Sequence, residues 1–407
     1  MAVKLGNGNW AVKENKLLAY NDNSGRFFNK EFDFARGSSA TYVAKDGLIK
    51  SAASDVPRID FSDSTNGALL LEPQRTNLIP YSEDFSVANW IKSNATITSN
   101  SIISPDGTSN ADKLVENSST SAHQVYDAVI TNSGDYSNSI FVKSAERSKI
   151  RINSGSNSYR VDFDLSNGTV ISQLGATGNI VSVSNGWYKC DISWNTATVS
   201  AQYFLISLLD DSGTQQYQGD GTSGVYIWGA QLEEGSYATS YIPSLSGSAT
   251  TRLADVCNNS GSAQDFNSEE GVLYAEISAL ADDGTYRQIL LHDNAYVDRI
   301  ALRYMPTSNQ INVYLINGTP QVDFTYNLSS TLDFIKIAFK YKQNDFSLWV
   351  NGIEVGVDTS GTTFSANTLQ KIDFDFTNNY FFYGNIKDLQ VFTEAKSDEF
   401  LAALTTI

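Results

Sequence analysis

Asp373 and Asp375 lie two apart in Lys371-Ile372-Asp373-Phe374-Asp375-Phe376. In an extended chain both carboxylates would project from one strand face, the arrangement a glycosidase needs for its acid and its nucleophile. The flanking glutamates of a Glu-x-Asp-x-Glu strand are missing, so the pair reads as polar alternation on a solvent face. Arg160, Asp162 and Asp164 share a face in the same way, without a His or Tyr at a lyase spacing, and no Gln-x-His strand of the alginate-lyase type is present. A hydrolytic triad needs a histidine, and only His123 and His292 exist. His123 sits in a Ser/Thr-rich stretch, His292 ends the apolar run Ile289–Leu291, and no Gly-x-Ser-x-Gly elbow accompanies either. Both read as surface or capping residues. No catalytic residue is assigned, and the chain reads as a non-enzyme.

Sugar binding demands less: an aromatic ring to stack on a pyranose and a few polar groups for its hydroxyls. Tyr126, Tyr217, Tyr286, Tyr296 and Tyr380 stand in polar, loop-like settings and are the candidate carbohydrate-binding residues. Trp90, Trp187, Trp194, Trp228 and Trp349 follow strand patterns and read as core. The corner Glu233-Glu234-Gly235 could hold a structural Ca²⁺ through carboxylates and backbone carbonyls.

The remaining composition narrows the class. A length of 407 residues allows two or three domains, and 21 Tyr with 21 Phe but only 18% charged residues favour strands over helices. A net charge of -17 argues against nucleic acid, since phosphate binding needs clustered Lys and Arg, and disfavours a membrane surface. Two cysteines, Cys190 and Cys257, exclude a disulfide framework and a cysteine zinc site. The first residues lack the apolar core of a signal peptide, and no run approaches a membrane span. The expectation is a protein made in a cytoplasm and exported by no standard route.

Turn chemistry sets the elements. Tyr159, Val161, Phe163 and Leu165 alternate with polar residues before Ser166-Asn167-Gly168, and Tyr188, Cys190, Ile192 and Trp194 alternate likewise. Further on, Ile311, Val313 and Leu315 precede Asn317-Gly318, and Asp345–Val350 runs into Asn351-Gly352, a strong hairpin signal. Asp398–Leu404 is expected to be helical with Ser397 as N-cap. The run Val225-Tyr226-Ile227-Trp228 is apolar on both faces and asks for cover on each. Residues 1–66 mix short apolar runs with turn clusters such as Asn21-Asp22-Asn23-Ser24-Gly25, too little for a core of their own. They would fold on a partner or lie as an arm on their own domain.

Several stretches resemble parts of tailed-bacteriophage appendage proteins of the tail-fibre or head-fibre type. FDFARGSSATYVAKDGLIK resembles the lead-in of such proteins. LLLEPQRTNLIPYSEDFSVANW and GVYIWGAQLEEGSYATSYIPSLSGSATTRLADV resemble the stretches that bracket their jelly roll, which is similar to carbohydrate-binding modules. EEGVLYAEIS, NDFSLWVNGIEVG and YGNIKDLQVFTEAKSDEFLAAL resemble laminin-G-like, concanavalin-A-like domains. The resemblance implies an all-β chain of two tandem β-sandwiches: an attachment and oligomerisation segment at 1–66, a jelly roll at 67–256, a linker at 257–269 and a laminin-G-like domain at 270–407. It implies a virion structural protein presenting glycan-binding sandwiches to the host surface, with residues 1–66 meeting other virion proteins. A polysaccharide-degrading virion enzyme and a decoration protein without ligand are the alternatives. The uncovered Val225–Trp228 face and the coreless arm lead to an expected homotrimer, with a dimer next.

Overall fold

A computed structural model describes residues 2–6, 10–13, 16–21, 26–28, 32–63, 65–154, 158–197 and 200–407. Part of the turn cluster at 21–25 lies outside them. The chain divides into two compact units, one of residues 40–51 and 74–252 and one of 1–39, 52–73 and 253–407.

The first unit is a sandwich of two six-stranded sheets. One runs Ile91–Ser93, Gln124–Thr131, Ser200–Leu209, Lys149–Ser154, Tyr159–Asp164, Thr169–Leu174; the other runs Ala95–Ile102, Ala111–Glu116, Gly224–Glu234, Gly134–Ser144, Tyr188–Thr196, Thr177–Ser182. The alternation read in the sequence supplies the core: Ile150, Ile152, Val161, Phe163, Phe204 and Ile206 meet Leu114, Ile140, Val142, Cys190, Ile192 and Val225, all fully buried. At Ser166-Asn167-Gly168 the chain turns with Gly168 at φ +69° and pairs Asp164 with Thr169.

The two stretches that bracket this sandwich lie side by side. The amide of Asn77 donates to Ala230 O at 3.1 Å and Ile242 O at 2.9 Å, while its Oδ1 accepts from the Ile79 and Leu232 amides. Arg75–Asn77 then pairs with Thr250–Arg252. Cover for the outward apolar side chains comes from within the unit. A register shift between Ser139 and Phe141 accompanies Gly229 at φ +68°, and Trp228 joins Ile49, Ala111, Phe141, Trp187 and Tyr241 in a separate buried cluster. Ile49 belongs to the hairpin Ala40–Val43 with Ile49–Ala52, and Tyr241 to the outgoing strap. That face is therefore closed by the chain itself.

Burial pushes the Asp191 carboxyl from its ordinary 3.8 up to about 6, with Lys189 and Asn179 opposing and Glu233 adding. Because the folded value lies above the unfolded one, this group's stabilisation is complete below about pH 4 and is lost as pH rises through 6. Asp191→Asn is expected to remove that loss. Above pH 6 it should be more stable than the native chain by on the order of 1–2 kcal/mol, with a correspondingly higher melting temperature, and the two should converge near pH 4. Calorimetry across that range checks it, and parallel curves would contradict it.

In the second unit a large sheet carries, in order, Ala11–Lys13, Lys16–Asn21, Ala2–Gly6, Gly384–Phe392, Glu270–Ala279, Ile335–Lys342, Phe346–Val350 and Ile353–Asp358, with Ala68–Leu71 also paired to Gly384–Phe392. The opposing sheet runs Thr319–Asn327, Gln310–Asn317, Arg299–Tyr304, Arg287–His292, Lys371–Asp373. Leu273, Ile337, Phe339 and Leu389 face Ile289, Ile300, Leu302 and Val313 across the core. Asn351 at φ +49° and Gly352 at φ +84° make the expected hairpin turn. Ser397 caps the helix Asp398–Thr405, whose Leu401 buries against Tyr274, Trp349 and Phe392 on the outer side of the large sheet.

Of the segment 1–66, the described residues up to 39 and those from 52 onward belong to this unit, whereas 40–51 belong to the first, so the segment is divided between the two units. Ala2–Gly6 pairs with Asp388–Phe392, Trp10 and Leu17 enter the core, and the Trp10 indole donates to Ile386 O at 3.0 Å. Residues 52–73 and 253–269, split by sequence between segment, jelly roll and linker, also belong here. The reason is a buried cluster spread along the chain: Arg58 bonds Glu72 at 2.6 Å and Asp255, Arg36 bonds Asp255 at 3.0 Å, and Asp255 also takes the Glu72 amide at 2.8 Å.

Candidate functional site

The inward residues of the five-stranded sheet, Ile289, Leu291, Ile300, Leu302, Val313 and Leu315, build the core, so their neighbours Gln288, Leu290, His292, Arg299, Ala301, Arg303, Asn312 and Tyr314 point outward. Leu290 and Ala301 are fully buried nonetheless. The Arg299 guanidinium sits 5.5 Å from the Tyr314 ring centre and 5.1 Å from that of Phe376, and Arg303 sits 4.5 Å from Tyr314 and 5.1 Å from Tyr286. Tyr286 meets Tyr380 edge to face at 5.2 Å, and Tyr296 meets Phe376 at 5.6 Å. Three of the five tyrosines singled out in the sequence, Tyr286, Tyr296 and Tyr380, thus fall in one aromatic and cationic layer. Tyr380 is 45% exposed, the other two part-buried.

The loops that deliver them are strained. Tyr296, Thr377, Asn378 and Tyr380 all have positive φ, between 51° and 60°, where only Gly rests without cost. Such conformations persist where surrounding contacts fix them, and they give a binding surface a preset shape.

Asp373 holds the rim of this layer together. It accepts from Tyr296 Oη at 2.6 Å, from the Asn259 amide at 2.6 Å and from His292 Nε2 at 2.9 Å, and Tyr296 stacks on His292 at 4.1 Å. Burial pushes Asp373 up, but these bonds outweigh it and leave its carboxyl below the ordinary value. Asp375 takes Asn258 Nδ2 at 2.7 Å, and burial leaves it raised. The strand ends at Asp373, and both carboxylates are 1% exposed. They clamp residues 258–260 onto the sheet edge, so the expected solvent-facing alternation is replaced by two buried anchors. Burial and the Asp373 bond raise the Tyr296 phenol well above its ordinary value.

The histidines also differ from expectation, both being buried. His292 lies between Asp373 and the Asp293 carbonyl, and His123 between the carbonyls of Asn94 and Tyr217. Alternation at the strand ends hid this, because the partners come from distant loops.

In the jelly-roll unit the remaining sites are scattered. Tyr126 meets Tyr203 edge to face at 5.7 Å. Tyr217 is buried, donating to Glu116 at 2.6 Å with Arg147 over its ring. Glu233 is fully buried and takes the Thr239 amide at 2.9 Å, the Thr239 hydroxyl and Gln231 Nε2 at 2.7 Å, whereas Glu234 is exposed. Among the described residues no group of three or more His, Cys, Asp or Glu is placed to hold a metal ion. All five tryptophans read as core are buried.

Arg299, Arg303 and Tyr314 were not foreseen. Their signal was local: Arg299-Ile300-Ala301-Leu302-Arg303 alternates outward Arg, Ala, Arg against inward Ile and Leu, and Asn312-Val313-Tyr314-Leu315 does the same beside it.

Strand order and pairing make this chain an all-β protein of two β-sandwiches. No protein-family model and no curated protein matches it. Among solved structures it is similar to the CBM40 domain of the Ruminococcus gnavus IT-sialidase bound to α2,3-sialyllactose, at 16% identity over 37% of this chain and 94% of that one, with a TM-score of 0.31. It is also similar to domains LG4-5 of the mouse laminin α1 chain, at 11% identity over 69% of this chain and 92% of that one, with a TM-score of 0.24. The likeness at these scores is one of general fold.

Proposed function

We propose that this chain is a non-enzymatic appendage protein of a tailed-bacteriophage virion whose β-sandwiches bind glycans on the host surface. The glycan reading is carried by the layer of Tyr286, Tyr296, Tyr314, Phe376 and Tyr380 on the outer face of the five-stranded sheet, fixed by strained loops and open at Tyr380. Aromatic rings on a preset surface suit the apolar faces of sugar rings. The phage reading rests on the order of the resembling stretches from the lead-in at Phe32 to the terminal helix. A non-enzymatic role is supported by Asp373 and Asp375, whose carboxylates are engaged in anchoring residues 258–260. Self-association as a trimer, or next a dimer, stays within the proposal on the ground of avidity for repeated surface sugars. Gold-conjugated antibody against residues 270–407 is expected to decorate purified virions. Particles that carry none of the chain would overturn the virion assignment.

A further inference from the structure

We infer that the outer face of the five-stranded sheet selects acidic oligosaccharides, those bearing carboxylate or sulfate groups, through Arg299 and Arg303. The inference rests on the glycan reading of this face and names the class of sugar it takes. Arg299 and Arg303 stand four apart on one strand, so both project outward with Ala301 between them, and their guanidiniums flank the single ring of Tyr314. Tyr314 pairs with Ala301, so its ring lies between the two guanidiniums and each presents its free donors beside that ring.

Their partners leave donors over. Arg299 gives Nε to Tyr314 Oη at 3.2 Å and Nη1 to the carbonyls of Tyr296 and Val297, at 2.6 and 3.2 Å. Arg303 gives Nε to Asn312 Oδ1 at 2.9 Å. Among the described residues neither guanidinium has a carboxylate partner, although the chain as a whole carries a net charge of -17. The adjoining acids are engaged: Asp373 by His292, Tyr296 and Asn259, and Asp323 by the Asn312 amide. By contrast, buried Arg36 and Arg58, and part-buried Arg147 and Arg151, are each ion-paired.

A guanidinium presents five donors in a rigid fork that matches a carboxylate or sulfate edge, and stacking on Tyr314 holds that fork in place before a ligand arrives. The side chains are part-buried, so an anion reaching them is screened less than at a fully exposed lysine. A neutral sugar would stack on Tyr286 and Tyr380 but leave these donors to water.

Calorimetric titration of the full chain with a neutral oligosaccharide, a uronate-bearing one and a sulfated one, matched in length, tests this. Acidic ligands are expected to bind about 10- to 100-fold more tightly than the neutral one, with affinity falling as salt rises. The two acidic arms distinguish carboxylate from sulfate. Arg299→Gln with Arg303→Gln should erase the preference for acidic over neutral ligands and the salt dependence that goes with it. Arg303→Lys should restore only part of the preference, because a lysine lacks the fork. Equal affinity for neutral and acidic ligands would overturn the inference and leave the aromatic face as a sugar site. Absence of binding in all arms would overturn both.

Discussion

Arg58→Met is expected to destabilise the C-terminal sandwich by about 3–5 kcal/mol, lowering its melting transition by many degrees while leaving the far-ultraviolet signature of the jelly roll in place at intermediate temperature. Arg58 is fully buried and holds two carboxylates, Glu72 and Asp255. Burial favours its neutral form, but the two acids outweigh that and hold the guanidinium charged, well above its ordinary range. Removing it leaves two buried acids with Arg36 as the remaining cation, bonded to Asp255 at 3.0 Å. A buried charge without its partner is costly in a way that a missing surface pair is not, because no water replaces the lost contact. The cluster also joins the strands at 58–60 and 68–71 to the segment leading into Val256–Asn258, so its loss should loosen residues that reach the sheet edge near Asp373. Two resolved calorimetric transitions, with only one shifted in the variant, are the expected record. A variant melting within about 1 kcal/mol of the native chain would contradict this account of the cluster.

Local signals explain why much of the fold was legible. The turns at Asn167-Gly168 and Asn351-Gly352, the alternation in Tyr159–Asp164 and Tyr188–Thr196, and the Ser397 cap each depend on a few neighbouring residues, and each forms as read. What failed was non-local. His292 and Asp373 are 81 residues apart, and Asn259 and Asp373 are 114 apart, so no spacing rule could reveal that the acids anchor a distant loop. Arg36, Arg58, Glu72 and Asp255 likewise meet only in three dimensions. Period-two patterning says which face a residue takes, but not what else covers that face. Trp228 needed cover and finds it in Ile49 and Tyr241. Polar sequence surroundings do not separate Tyr286, Tyr296 and Tyr380, which share the outer layer, from Tyr217, which is buried.

The aromatic face is where the largest functional effect should appear. Tyr286 and Tyr380 meet edge to face, with Tyr380 the more open, so a sugar ring can lie on one while the other walls its side. Aromatic anchors at the centre of a binding surface commonly account for much of its affinity, and truncating both to alanine is expected to cost about 10- to 100-fold or more. Neither ring belongs to the hydrophobic core, so the fold should survive. A glycan array probed with the full chain, alongside Tyr286→Ala/Tyr380→Ala, tests the central claim most directly. The account predicts binding to a restricted set of glycans by the native chain and its loss in the double variant at an unchanged melting temperature. Failure of the native chain to bind any glycan, or binding that survives both substitutions, would contradict it.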